Sequence, residues 1–68
     1  MSKIKDVLYD YNDEVSFSFD GEKYTGTIEI IDKFGYFFDN SEPYYDIYMK
    51  DHNVLVKHVP QSTIRKVD

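Results

Sequence analysis

Hydrophobic and polar positions begin to alternate at residue 14. Val15, Phe17 and Phe19 fall on one side and Ser16 and Ser18 on the other, the period-two signature of a strand with one buried face. Asp20-Gly21 follows at once, and an Asp-Gly pair between two alternating runs predicts a two-residue hairpin turn with positive φ at both positions. The second run, residues 23 to 31, places Tyr24, Gly26, Ile28 and Ile30 on one face and Thr25, Thr27, Glu29 and Ile31 on the other. A glycine inside a strand marks a sharp bend or a close approach of another backbone, so Gly26 is where this strand is expected to turn a corner.

Asp32 to Gly35 reads as a turn. Tyr36 to Asp39 fits a short strand or equally the aromatic end of a loop that runs on through Pro43. Tyr45, Ile47 and Met49 then alternate with Tyr44, Asp46 and Tyr48, and Lys50 to Asn53 turns the chain into a partner strand from Val54 to Val59. In that strand Val54 and Val56 are expected inward and Lys57 outward. Pro60 ends it, because proline gives no N–H to a ladder. Residues 60 to 63 suit one 3-10 turn, after which Ile64 to Val67 forms a last short strand. Ahead of all this, Ile4, Val7, Leu8 and Tyr11 are spaced for one face of a short helical turn, although Asp10, Asn12 and Asp13 would break it, and a flexible lead or an edge strand fits as well.

The order strand, Asp-Gly hairpin, long bent strand, aromatic loop, strand, turn, strand, 3-10 turn and terminal strand resembles the SH3-like small barrels, among them SH3, Tudor and KOW-type domains. The segment Val59-Pro60-Gln61-Ser62-Thr63-Ile64 is similar to the 3-10 turn that precedes the last strand there, and Tyr45-Asp46-Ile47 is similar to a central Tudor strand. The resemblance implies an all-β, five-stranded SH3-like barrel over residues 13–68 behind an N-terminal lead, 1–12. It reaches layout only. There is no Trp, Tyr9 and Tyr11 match the SH3 aromatic pair loosely, and Tyr36, Phe37, Tyr44 and Tyr48 are candidates for a cation cage whose rings would have to converge.

Composition bounds the remaining choices. At 68 residues the chain holds one domain at most, and a chain this short buries only about 60% of its unfolded surface. Without cysteine it has neither disulfides nor thiolate metal ligands, so apolar packing or association must supply its stability. The start carries no apolar run like that of a signal peptide and nothing approaches a membrane span, so a cytoplasmic location is expected.

No catalytic residue, cofactor site or metal site is expected. The serines lie outside any Gly-x-Ser-x-Gly context, His52, His58 and Asp51 match no ligand spacing, and a pairing of His58 with Asp46 across the hairpin reads as structural. Net charge is −5, and from Asp6 to Asp46 acids outnumber bases eleven to two. That disfavours nucleic acid as a partner.

The surplus of aromatics, seven Tyr and five Phe, changes the picture most. A small core can absorb Phe17, Phe19, Tyr24, Phe38 and Tyr45, leaving others for the surface, where rigid rings contribute contact area at little entropic cost. The leading expectation is a non-catalytic module that binds another protein through Phe34, Tyr36, Phe37, Tyr44 and Tyr48. An alternative is an acidic inhibitor of the kind carried by phages or mobile elements, mimicking nucleic acid through Asp13, Glu14, Asp39 and Glu42. A third is weak nucleic-acid binding through a basic C-terminal edge of Lys50, Lys57, Arg65 and Lys66. A homodimer that covers an edge strand is compatible with each.

Overall fold

The computed structural model describes residues 6–35 and 42–67. Five strands, β1 (Glu14–Phe19), β2 (Glu22–Asp32), β3 (Tyr44–Met49), β4 (Val54–Pro60) and β5 (Ile64–Lys66), form one antiparallel sheet in the order β4-β3-β2-β1-β5, with a 3-10 turn, Gln61–Thr63, between β4 and β5. The all-β class, the strand number and the turn before the last strand are as the pattern predicts. The barrel is not: the sheet is open, with β4 and β5 at opposite edges. A three-residue β5 and a β4 that ends on Pro60 offer little backbone with which to join the two edges.

β2 serves two neighbours in succession. Its first half, Glu22 to Thr27, pairs with β1, and its second half, Thr27 to Asp32, pairs with β3. Gly26 sits where one half gives way to the other. A Cβ there would stand 2.6 Å from Ile47 Cγ2 and 2.7 Å from the Tyr48 carbonyl oxygen, so the close approach of β3 requires glycine. One core results: Val15, Phe17 and Ile64 come from the β1–β5 side, and Ile28, Tyr45, Ile47, Met49, Val56 and Val59 from the β2–β4 side. The Asp20-Gly21 turn has positive φ at both residues and joins the Phe19 and Glu22 pair directly, as expected.

Two β-bulges revise the assignment of faces. Ile28 pairs with Ile47 but Ile30 with Asp46, so β2 carries an extra residue. The alternation flips there. Ile30, expected inward, is 51% exposed, and Ile31 packs against the core instead. In β4, Lys57 and His58 together face Asp46, between the Val56–Ile47 and Val59–Tyr45 pairs. His58 takes φ 60°, and its backbone N–H donates to Asp46 Oδ1 at 3.0 Å. The expected proximity of His58 and Asp46 is therefore made through the amide.

Phe19 and Val54, also expected inward, are 49% and 44% exposed. Each forms the last pair of its hairpin, Phe19 with Glu22 and Val54 with Met49, beyond the reach of the core. Phe38 lies outside the described residues.

Residues 6–10 run without regular secondary structure into a turn at residues 11–12. Val7 and Tyr9 pack on the core while Leu8 and Tyr11 are exposed, so the inward positions are two apart. Ile4 lies outside the described residues. This strap is held by buried Gln61, whose Oε1 accepts from the Leu8 N–H at 3.0 Å and from the Tyr45 hydroxyl, and whose Nε2 donates to the Asp6 carbonyl at 2.9 Å. The Tyr9 hydroxyl donates to the Ile64 carbonyl at 2.8 Å, and its ring stands edge-on to Tyr45, 5.7 Å between centroids. Further along, the Asn12 N–H donates to the Ile28 carbonyl and the Ile28 N–H to the Asp13 carbonyl.

Candidate functional site

Of the five aromatics expected to form a binding surface, Tyr36 and Phe37 lie outside the described residues. Phe34 is exposed, with Lys33 Nζ 5.5 Å from its ring centroid. Tyr44 and Tyr48 are both half-buried but open and nearly close β3, four residues or roughly 13 Å apart. They cannot share one bound group. Tyr44 lies between Asp32 and Pro60, whereas Tyr48 lies between Thr27 and Leu55 and its hydroxyl donates to Asn53 Oδ1 at 2.8 Å.

Tyr48 has other company. Ile30 from β2 and Leu55 from β4 flank it, and together with Glu29 they line a surface depression of about 410 Å³. Ile30 is 51% and Leu55 39% exposed. Towards β1, by contrast, the outward positions of the sheet are Ser16, Ser18, Thr25 and Thr27. The sequence reading missed both aliphatic residues. Leu55 was legible, since Val54 and Val56 inward leave it outward. Ile30 was not, because its position depends on the bulge.

Rings also gather at the tips of the two hairpins. Tyr24 stands edge-on to His52 at 5.5 Å and lies 6.5 Å from Phe19, beside a depression of about 480 Å³ that also touches Ser16, Lys23, Thr25 and Asp51. These rings meet edge-on or tilted against one another.

The acidic candidates are dispersed. Asp13 Oδ2 accepts from the Asp10 N–H at 2.9 Å and lies 3.3 Å from Lys66 Nζ. The Asp10 amide above all, opposed by desolvation and helped by Lys66, holds the Asp13 carboxyl below its ordinary value. Glu42 caps the 3-10 turn, accepting from the Ser62 N–H at 2.7 Å and the Ser62 hydroxyl at 3.2 Å. Glu14 is exposed at the start of β1, and Asp39 lies outside the described residues. The basic candidates divide between two edges, Lys57 on β4 and Arg65 and Lys66 on β5, so they form no continuous stripe.

Among the described residues no three His, Cys, Asp or Glu side chains gather to hold a metal ion, and no helix is long and apolar enough to cross a membrane. Tyr45, the largest fully buried side chain, has its hydroxyl pushed above the ordinary phenol value by burial. Its bond to Gln61 makes it part of the core. Comparison with known proteins gives no matching family model, no matching curated protein and no matching solved structure.

Proposed function

We propose that this chain is a small, non-catalytic SH3-like module that binds another protein through the outward face of β2, β3 and β4. The observation that carries the reading is the contiguous exposure of Ile30, Tyr48 and Leu55, one residue from each of three adjacent strands, around a single depression. Apolar side chains held together on an otherwise polar sheet face mark a contact surface more than scattered ones do. The strand order and the 3-10 turn between β4 and β5 support the SH3-like layout. Nucleic-acid mimicry is less well supported, because Asp13 and Glu42 already spend their carboxylates on internal partners.

A tagged chain and its Leu55→Lys and Ile30→Ser variants, used to recover partners from the native host at low and moderate salt with nuclease, test this. A protein that survives salt and nuclease with the wild type and is lost from both variants supports the reading. A partner retained by both variants contradicts it. Loss of the wild-type complex with salt alone would favour the acidic mimic, and loss with nuclease a nucleic-acid bridge.

A further inference from the structure

The strap is held on the body as a peptide ligand would be. Gln61, buried, turns both polar atoms of its side chain to one extended backbone, bonding the Asp6 carbonyl and the Leu8 N–H on either side of Val7. Val7 and Tyr9, two apart, pack on the core, and the Tyr9 hydroxyl reaches the Ile64 carbonyl. Backbone bonds combined with alternate side chains in pockets are the usual way of holding an extended segment. These hydrogen bonds join residues 53 to 55 positions apart, so the body builds the site and the strap fills it. Residues 6–10 have no regular secondary structure, and they lead back to the sheet through the turn at residues 11–12. That turn is closed by the Asp13 N–H on the Asp10 carbonyl and the Asp10 N–H on Asp13 Oδ2, with Asn12 at φ 70°. Asp10, Tyr11 and Asn12 are exposed, so water replaces such bonds at little cost, and opening returns Asn12 from left-handed to extended backbone.

We infer that two copies of the chain exchange straps at high concentration, residues 6–10 of each filling the Gln61 site of the other. The occupant is selected by the structure itself, because the segment seated in this site is residues 6–10 of this chain. Each copy regains in its partner the contacts it gave up, which makes exchange of an identical element a low-cost route to a dimer, and short strained hinges invite it. The hinge, residues 10 to 12, spans at most about 11 Å, so the two bodies meet at their hinges. Leu8 and Tyr11, 64% and 56% exposed, are gathered there into a contact that the single chain lacks. Asp10 and Asp13 of the two copies oppose this approach, and salt screens them. At low concentration the single chain prevails, since a strap tethered by a short linker is present to its own site at roughly millimolar effective concentration.

The full-length chain tests this without any cellular partner. Equal amounts of isotopically labelled and unlabelled chain are unfolded, refolded together at about 1 mM in moderate salt, and followed by sedimentation and isotope-filtered NMR. Asn12→Pro is carried alongside, because proline cannot take φ 70° and holds the hinge open. The expected result is a dimer in which the Tyr9 ring of one copy contacts the Tyr45 ring of the other, reverting to the single chain on dilution below roughly 0.1 mM. Asn12→Pro should lower the concentration needed for dimerisation at least about tenfold. A dimer whose Tyr9–Tyr45 contact stays within each copy, as in one joined through Ile30 and Leu55, would overturn strap exchange. So would a wild type still single at that concentration, a result that decides the matter even if Asn12→Pro fails to fold. A folded Asn12→Pro that dimerises no more readily than the wild type would overturn it as well.

Discussion

β5 and β4 bound the same sheet, and the chain finishes them in opposite ways. On the β5 side the strap brings Val7 and Tyr9 inward, Tyr9 bonds to the Ile64 carbonyl, the Val67 N–H donates to the Glu14 carbonyl, and Lys66 pairs with Asp13. The strap thus closes over part of the core and ties its ends down, while Leu8, Tyr11 and Val67 stay exposed. Along the first half of β4 Val54 and Leu55 are left exposed while Val56 is buried, and Leu55 pairs with Tyr48 across the ladder. The contrast separates residues that hold the fold from residues the fold can do without. A side chain whose removal orphans buried groups is structural, and one whose removal exposes nothing further is available for a partner.

The largest expected effect falls on neither margin but on the bend between them. Gly26→Val drives a side chain into the Tyr48 backbone, which cannot swing aside, and should cost roughly 3 kcal/mol. For a domain of this size that is a fall in melting temperature of at least about 12 °C. An unchanged melt would mean that β2 and β3 are not so close.

On the protected margin, Gln61→Ala leaves the Leu8 N–H, the Tyr45 hydroxyl and the Asp6 carbonyl without their partner at once. A loss of about 2–3 kcal/mol in denaturant unfolding is expected. The strap amides should exchange faster as well, and undisturbed exchange at Leu8 would break the structural half of the comparison.

On the other margin, His58→Gly should stabilise the chain by about 1 kcal/mol, since a non-glycine residue at φ 60° is strained and glycine is not. Destabilisation would show that the His58 side chain contributes more than its backbone strain costs.

The smallest effect concerns Asp13. Its pKa is lowered in the fold, so its stabilising contribution is present above the ordinary value of 3.8 and is lost as pH falls through the lower folded value. Asp13→Asn should therefore be less stable than the wild type at neutral pH, with the difference closing in acid below pH 3.8. A gap that stays constant with pH would remove the carboxylate from the account.

How much of this was legible in the sequence follows from what each signal depends on. Asp20-Gly21, Gly26 and the 45-47-49 alternation state local requirements of backbone and burial, and the fold obeys them. Ile30 misled because a bulge is a property of a strand pair: the β2 run alternates without interruption, and only its register against β3 shows the extra residue. Phe19 and Val54 misled because alternation tells which face a residue takes but not whether the core reaches that far along the strand. Gln61 carried no signal at all. Its role exists only once the strap, the 3-10 turn and Tyr45 have met in space. On the binding face only Ile30 was hidden, by the bulge, whereas Leu55 follows from the alternation of Val54 and Val56 around it.

The central claim is that the Leu55 face is dispensable for folding and required for binding, and one variant measured twice tests it most directly. Leu55→Lys should melt within about 0.5 kcal/mol of the wild type, as exposed substitutions do, while losing the protein partner recovered from the host. A variant that unfolds would place Leu55 with the structural residues, and one that folds and keeps its partner would contradict the account outright.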